Sequence, residues 1–396
     1  MCSSDLGFTQ LIIGQTVANV GDTIYIVAII SSIFSWTDSA LAAALVPVLV
    51  TGGGVISGFL SPVITSYFRL EQVLKVSQMC KTALLFFMTA YLYLKAETMI
   101  LLVLYCLVAL ISFLDGCSEP ISRALIPKYV EKHRLVKANG IFNSMLQTVN
   151  IGSWAIGTSL LLVFSVHQLV LLDSFLFLSA SIVLAFLPRT TREKNEKQPL
   201  GHQLFIGWPW IMKDPLVRVI VGMDMLESIA NTAWVSAIVL VFVREVMHAP
   251  DAWWGYINAT YFVGALLGSA LVMRFSERFD KNKRTAIVMG AILGGLITVA
   301  VALSGDRFLI LGLSVLIGLF SQIKNIPQAS LIQQKVAADR LVAIYAASGI
   351  LNSGVFALFT LLMGQVADVF DVRWVFVLSG SLLLLVGLVA GKLKVS

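Results

Sequence analysis

The sequence predicts an all-α integral membrane protein of twelve transmembrane helices in two pseudo-symmetric six-helix bundles, and three observations carry that reading. Of its 396 residues, 58% are hydrophobic and 13% charged, with a mean hydropathy of +0.89; soluble chains carry about 25% charge. The apolar residues fall in long runs. A residue pattern of the first half returns in the second at a constant offset.

A span needs about 20 apolar residues, and in lipid every backbone N–H and C=O must be satisfied within its own segment, which leaves helices. Such runs lie at 8–34, 40–68, 74–94, 99–122, 139–166, 168–188, 217–243, 252–274, 285–304, 307–332, 342–366 and 372–391. The first is too long, and too polar within, for a cleavable signal peptide, so it is expected to stay as span 1. The opening MCSSDL lacks the usual basic residues, which points to an altered or truncated start. Cys80, Cys106 and Cys117 lie in apolar runs and Cys2 near the terminus, without CxxC or Cys/His spacing. They read as small hydrophobes, and no metal or cofactor is expected.

With the N-terminus inside, the loops at 69–75, 126–138, 189–218, 274–284 and 333–340, the tail and Lys324 hold 22 of the 28 Lys and Arg. The outer loops hold Lys95, Arg244, Arg307 and Arg373. This positive-inside asymmetry predicts that both termini are cytoplasmic. The net charge of +6 is thus a topology signal and not a nucleic-acid surface. The longest connection runs from the polar PRTTREKNEKQ into GHQLFIGWPWIMKDP, which is too short to span. It reads as a linker with an interfacial segment anchored by Trp208 and Trp210, or as a regulatory element.

A shift of 206 residues places Gly58 on Gly264, Leu125-Ile126 with Val130 on Leu331-Ile332 with Val336, and Arg134-Leu135-Val136 on Arg340-Leu341-Val342. Duplication explains this together with six spans per half. The expected organisation is an N-terminal bundle 1–188, a cytoplasmic linker 189–216 and a C-terminal bundle 217–396. Parallel repeats of this kind place a substrate path between the halves and expose it alternately to either side.

Ionisable groups deep in a span cost roughly 2.5–3.5 kcal/mol on insertion scales and are functional hypotheses by default. Here they recur in spans 1, 4, 7 and 10. Asp22 shares a helix face with Asn19 and Gln15; it reads as a cavity-facing carboxylate, or as a helix-packing hydrogen bond. Asp115, Glu119 and Arg123 form one stripe of span 4, where Arg123 can neutralise Glu119. Like-charge repulsion and burial then favour proton binding by one carboxyl; a purely structural pair is the alternative. Asp224, Glu227 and Asn231 make a polar face of span 7, with Glu227 the better proton or cation site and Asp224 near enough to the cytoplasmic end to be hydrated. Lys324 and Asn325 stand in span 10. Asp173 is expected near the outer end of span 6, and Lys81 is expected to snorkel inward. Gly54 with Gly58, and Gly264 with Gly268, have the small-xxx-small spacing of close helix packing.

On GQTVANVGDTIY with TDSALAAALV, EPISRALIPKYVEKHRLVKANGIFNS and GALLGSALVMRFSERFDKNKR, essentially the whole chain resembles the major facilitator superfamily, in its macrolide-efflux and enterobactin-exporter branch. The resemblance implies a major facilitator fold in a bacterial plasma membrane, with a cavity lined by spans 1, 4, 7 and 10. It puts Asp22 on the family's span 1 acid. It also makes Gly58, Arg69, Gly264, Arg278 and Arg284 conformational-loop residues. Two features depart from the pattern: GFLSPVITSYFRLEQ has no Asp, and NIGSWAIG keeps Gly152 and Gly157 without a Pro.

The expected function is therefore proton-coupled efflux of small amphipathic compounds such as drugs or siderophores, by a monomer whose partners are substrate, protons and lipid. The departures leave uptake symport or facilitated diffusion open, as does a non-transporting sensor on the same scaffold. There is no GxSxG, HExxH or GxxxxGK[ST] sequence, so an enzyme, and ATP hydrolysis as the energy source, are not expected.

Overall fold

The computed structural model describes residues 3–37, 40–94, 101–190, 207–234, 236–250 and 252–393. Cys2, Lys95 and linker residues 191–206 lie outside them, as do the side chains of the NIGSWAIG segment. Among the described residues there is no strand. Spans 1 to 3 are Ser3–Thr37, Ala40–Tyr67 and Leu70–Leu94. Span 4 is Leu101–Asp115 continued by Ser118–Tyr129, and spans 5 and 6 are Leu135–Val163 and Val166–Ala185. Span 7 is Pro215–Ala230, a 3-10 turn Asn231–Trp234, and Ser236–Glu245. Spans 8 to 12 are Ala252–Arg274, Lys283–Leu303, Arg307–Lys335, Ala338–Val369 and Val372–Ala390. Ten helices, among the described residues, are long and apolar enough to cross a membrane, and the two arms of span 7, bent by 43°, add an eleventh. Span 5 has 29 residues. The linker ends in a short helix, Gly207–Lys213, that contains Trp208 and Trp210.

The repeat is visible in the backbone. Val130 and Val336, 206 residues apart, end spans 4 and 10 in extended conformation, and their N–H groups donate to Ile126 and Ile332 at 3.0 and 2.9 Å. Four residues further, Arg134 N–H donates to the Glu131 carbonyl and Arg340 N–H to that of Ala337. Ser165 with Gln168 forms a capping box at span 6, and Asp371, 206 residues on, caps span 12. Such caps satisfy orphan N–H groups. Asp214 and Asp306 likewise open spans 7 and 10. These acids are accounted for by helix termini.

The chain packs as two compact units, each made of three stretches of sequence. One comprises Met1–Val130, Val149–Gly207 and Ala337–Ala346; the other comprises Glu131–Thr148, Trp208–Val336 and Ala347–Ser396. The first is centred on Tyr25, Ile29, Leu85, Met88, Val108 and Phe177. The second is centred on Phe242, Val243, Val301, Ile310, Val375 and Phe376. In the first, buried Glu71 accepts from Thr190 N–H at 3.1 Å and its hydroxyl at 2.6 Å, which pins the start of the linker. Outward-facing Leu94, Phe308 and Leu361 are 81%, 75% and 72% exposed, as lipid-facing side chains should be.

In the second unit, Asn139 from span 5 is fully buried against span 10. Its Nδ2 donates to Gln333 Oε1 at 2.6 Å and Ser330 Oγ at 3.1 Å, and Gln333 Nε2 returns a bond to Asn139 Oδ1 at 3.3 Å. Truncating one partner strands the other, so Asn139→Ala is expected to lose about 1–3 kcal/mol in thermal unfolding. The swapped pair, Asn139→Gln with Gln333→Asn, is expected to recover part of that loss.

Glycines seam spans 8 and 10 together. A Cβ on Gly264 would strike the Val315 carbonyl, one on Gly268 would lie 2.5 Å from the Leu319 oxygen, and one on Gly318 would strike the Tyr261 carbonyl. Backbones therefore meet without side chains between them. In span 2, among the described residues, nothing lies within 4 Å of a Cβ built on Gly54 or Gly58. Close packing there uses Gly53 and Gly116 instead, and Gly116 stands at the break of span 4, where an added Cβ would lie 2.7 Å from Gly54 Cα.

Candidate functional site

In the first unit, three spans converge on one ammonium. Lys81 in span 3 is 0% exposed, and its Nζ donates to Asp115 Oδ1 of span 4 at 2.6 Å and to Asp22 Oδ1 and Oδ2 of span 1 at 3.1 and 3.2 Å. The same ammonium lies 4.5 Å from the centroid of the Phe177 ring in span 6. The Asp22 and Asp115 side chains are 17% and 42% exposed, so the cluster is closed at the lysine and open at Asp115. Lys81 therefore does not snorkel. At about 1.5 Å rise per residue it lies roughly 16 Å from Leu70, beyond the reach of its stem. Breaking a buried ion pair by removing one partner costs about 3–5 kcal/mol, so this cluster is a strong constraint on the three helices.

In the second unit, Lys324 of span 10 donates to Glu227 Oε2 of span 7, with Gln328 Oε1 at 3.4 Å. Gln328 Nε2 in turn donates to Asp224 Oδ1 at 2.6 Å. Asp224 is thus engaged by a protein donor, and the four side chains form one polar ladder between spans 7 and 10. A cavity of about 260 Å³ opens beside it, lined by Glu227, Lys324, Asn231, Asn325, Asn258 and Tyr261. Trp234 and Phe262 supply aromatic wall, and Gly290 and Gly294 of span 9 line it too, Gly290 packed so closely on span 10 that a Cβ would lie 2.8 Å from the Phe320 carbonyl oxygen. Mixed apolar walls with a few polar groups are the usual make-up of a small-molecule site.

The remaining candidates fall outside these two centres. Gln15 is buried and Asn19 half-buried on the face of span 1 that carries Asp22. Glu119 and Arg123 pair at 2.9 Å, with Glu119 64% exposed; the break at Gly116–Cys117 separates them from the helical segment that holds Asp115. Arg69 begins span 3's approach, its N–H donating to Gln72 Oε1 at 3.3 Å. After span 8, Arg278 is exposed on the short helix Ser276–Lys281, and Arg284 donates to the Gly391 carbonyl. There, Asp280 accepts from Lys283 and from Gln334, whose Nε2 also reaches the Lys132 carbonyl at 2.9 Å. Asp173, expected near the outer end of span 6, is 0% exposed. Sequence reasoning missed Lys81, Gln328, Asn258 and Tyr261 as site residues. Only Lys81 carried a signal, its depth within span 3.

No group of three or more His, Cys, Asp or Glu that could hold a metal occurs among the described residues. The family model for the Major Facilitator Superfamily matches residues 11–360. The chain is similar to the uncharacterized MFS-type transporter YfmI of Bacillus subtilis (strain 168), 28% identical over 384 residues that cover 96% of this chain and 94% of the relative. In fold it is similar to the E. coli fucose:proton symporter FucP, with a TM-score of 0.77 and 14% identity over 98% of both chains. It is also similar to a bacterial homologue of the iron transporter ferroportin in the outward-facing state, with a TM-score of 0.74 and 16% identity over 98% of both chains. Twelve helical spans in repeated halves, polar centres on spans 1, 3 and 4 and on spans 7 and 10, and a family match over most of the length lead to one identification: the chain belongs to the Major Facilitator Superfamily, and is a multi-pass membrane transporter rather than an enzyme.

Proposed function

We propose that the chain is a proton-coupled exporter of small amphipathic compounds working by alternating access, with bundles 1–188 and 217–396 as the moving halves, linker 189–216 between them and both termini cytoplasmic. The observation that carries this reading is the Asp22–Lys81–Asp115 cluster. Two carboxylates share one ammonium, so the ionised site has one negative charge in excess. When Lys81 releases either acid, that acid needs a cation, and a proton entering from the exposed side of Asp115 meets the need. The ladder from Asp224 to Glu227 and the aromatic, carboxamide-lined cavity beside it supply the substrate end. Coupling and substrate recognition are thereby divided between the two units, in a protein that acts as a monomer.

The absent Asp after span 2 and the missing Pro in span 5 favour a second reading, uptake symport, and the fucose:proton symporter shares the fold. Direction is tested by a substrate panel in cells lacking the gene and in cells expressing it. Lower accumulation of a fluorescent amphipathic cation such as ethidium on expression is the expected outcome. Higher accumulation of any panel member supports uptake and removes efflux.

A further inference from the structure

We infer that Asp173 is a third proton site of the transporter, a proton held in reserve behind the Asp22–Lys81–Asp115 cluster; this rests on the proton-coupled reading above. Asp173 is 0% exposed, and neither carboxyl oxygen has a hydrogen-bond partner among the described residues. It projects from span 6 onto Gly21, the neighbour of Asp22, where a Cβ would strike Asp173 Oδ1 and the Phe177 ring. Besides Asp22 and Lys81, the titratable group that faces Asp173 is the buried Tyr25 of span 1, and the Ser174 and Thr89 hydroxyls are spent. Ser174 donates to the Val170 carbonyl at 2.8 Å, Thr89 donates to that of Leu85 at 2.9 Å, and the two lie 3.1 Å from each other. The ammonium of Lys81 is taken up by Asp22 and Asp115.

An unpaired carboxylate in a dry interior neutralises rather than stays charged. Asp173 does so by holding a proton. The fold does not require an acid here: 206 residues on stands Ser379, a fully buried neutral donor to the Ala230 carbonyl. The position takes a hydroxyl in one half and a carboxyl in the other, and only the carboxyl can give its proton up.

The geometry also supplies the exchange. Phe177, whose ring lies under the Lys81 ammonium, is one turn from Asp173 on the same face of span 6. When Lys81 swings from Asp22 toward span 6, the O–H bond of Asp173 breaks and an O–H bond forms on the Asp22 carboxylate. Lys81 then pairs with the Asp173 carboxylate. Charge is conserved: one ammonium, one acid and two carboxylates, of which Asp115 is one throughout, stand on each side of the step.

Infrared spectroscopy of the full chain in lipid nanodiscs at neutral pH tests this, because a buried carboxylic acid has a C=O stretch separate from carboxylates and amides. The wild type is expected to show an acid band that Asp173→Asn removes, Asp173→Glu shifts and Asp22→Asn retains. An unchanged band in Asp173→Asn, or one removed by Asp22→Asn instead, overturns the assignment. Asp173→Glu keeps the test open if Asp173→Asn does not fold: a band that stays unshifted in it likewise overturns the assignment. The coupling reading fails on a different observation, ethidium flux in Asp22→Asn that follows a pH gradient as in wild type, whatever the spectrum shows.

Discussion

Lys81→Met is expected to cost about 3–5 kcal/mol of stability. The methionine fills the volume but leaves Asp22 and Asp115 facing each other across the place of their shared cation. The check is thermal unfolding and folded yield of the purified protein. Because the loss comes from the stranded acids, Lys81→Met combined with Asp22→Asn and Asp115→Asn is expected to regain most of the stability while abolishing coupling. A single variant as stable as wild type contradicts the cluster.

The second large effect lies on the seam of spans 8 and 10. Gly264→Ala places a methyl on the Val315 carbonyl, which is backbone and cannot rotate away. Overpacking of this kind costs typically about 1–3 kcal/mol. Gly58→Ala, at the repeat-equivalent position, meets none of the described residues and is expected to be neutral or to gain up to about 1 kcal/mol from helix propensity. Unfolding of the two variants side by side is the measurement, and equal loss in both contradicts the asymmetry.

Much of the architecture was legible because lipid leaves the backbone so few choices. Apolar runs of spanning length can only be helices, and the observed spans follow the predicted runs, with span 1 reaching Thr37 and span 11 reaching Val369. The repeat was legible at Val130 and Val336, whose extended caps bear it out in the backbone. The sites were less so. Asp22, Asp115, Glu227 and Lys324 could be picked out because charge is costly in a span, yet their partners depend on which helices face one another, which one helix's periodicity does not tell. Lys81 was therefore expected to snorkel and Asp173 to stand near the outer end of span 6, though each is buried in the first unit. Gly58 was given Gly264's packing role because the repeat matches residues, whereas what packs against them differs between halves. That Glu131–Thr148 packs in the second unit and Ala337–Ala346 in the first leaves no mark in composition at all.

Proton-driven transport through the Asp22–Lys81–Asp115 cluster is the central claim. Its most direct measurement is ethidium flux in proteoliposomes under an imposed pH gradient, with wild type and Asp22→Asn compared at equal reconstitution. The expected result is flux that follows the gradient in wild type and is lost, by tenfold or more, in Asp22→Asn; for scale, each tenfold in rate corresponds to about 1.4 kcal/mol. Ethidium flux that ignores the gradient in wild type, or that follows it equally in Asp22→Asn, contradicts the account.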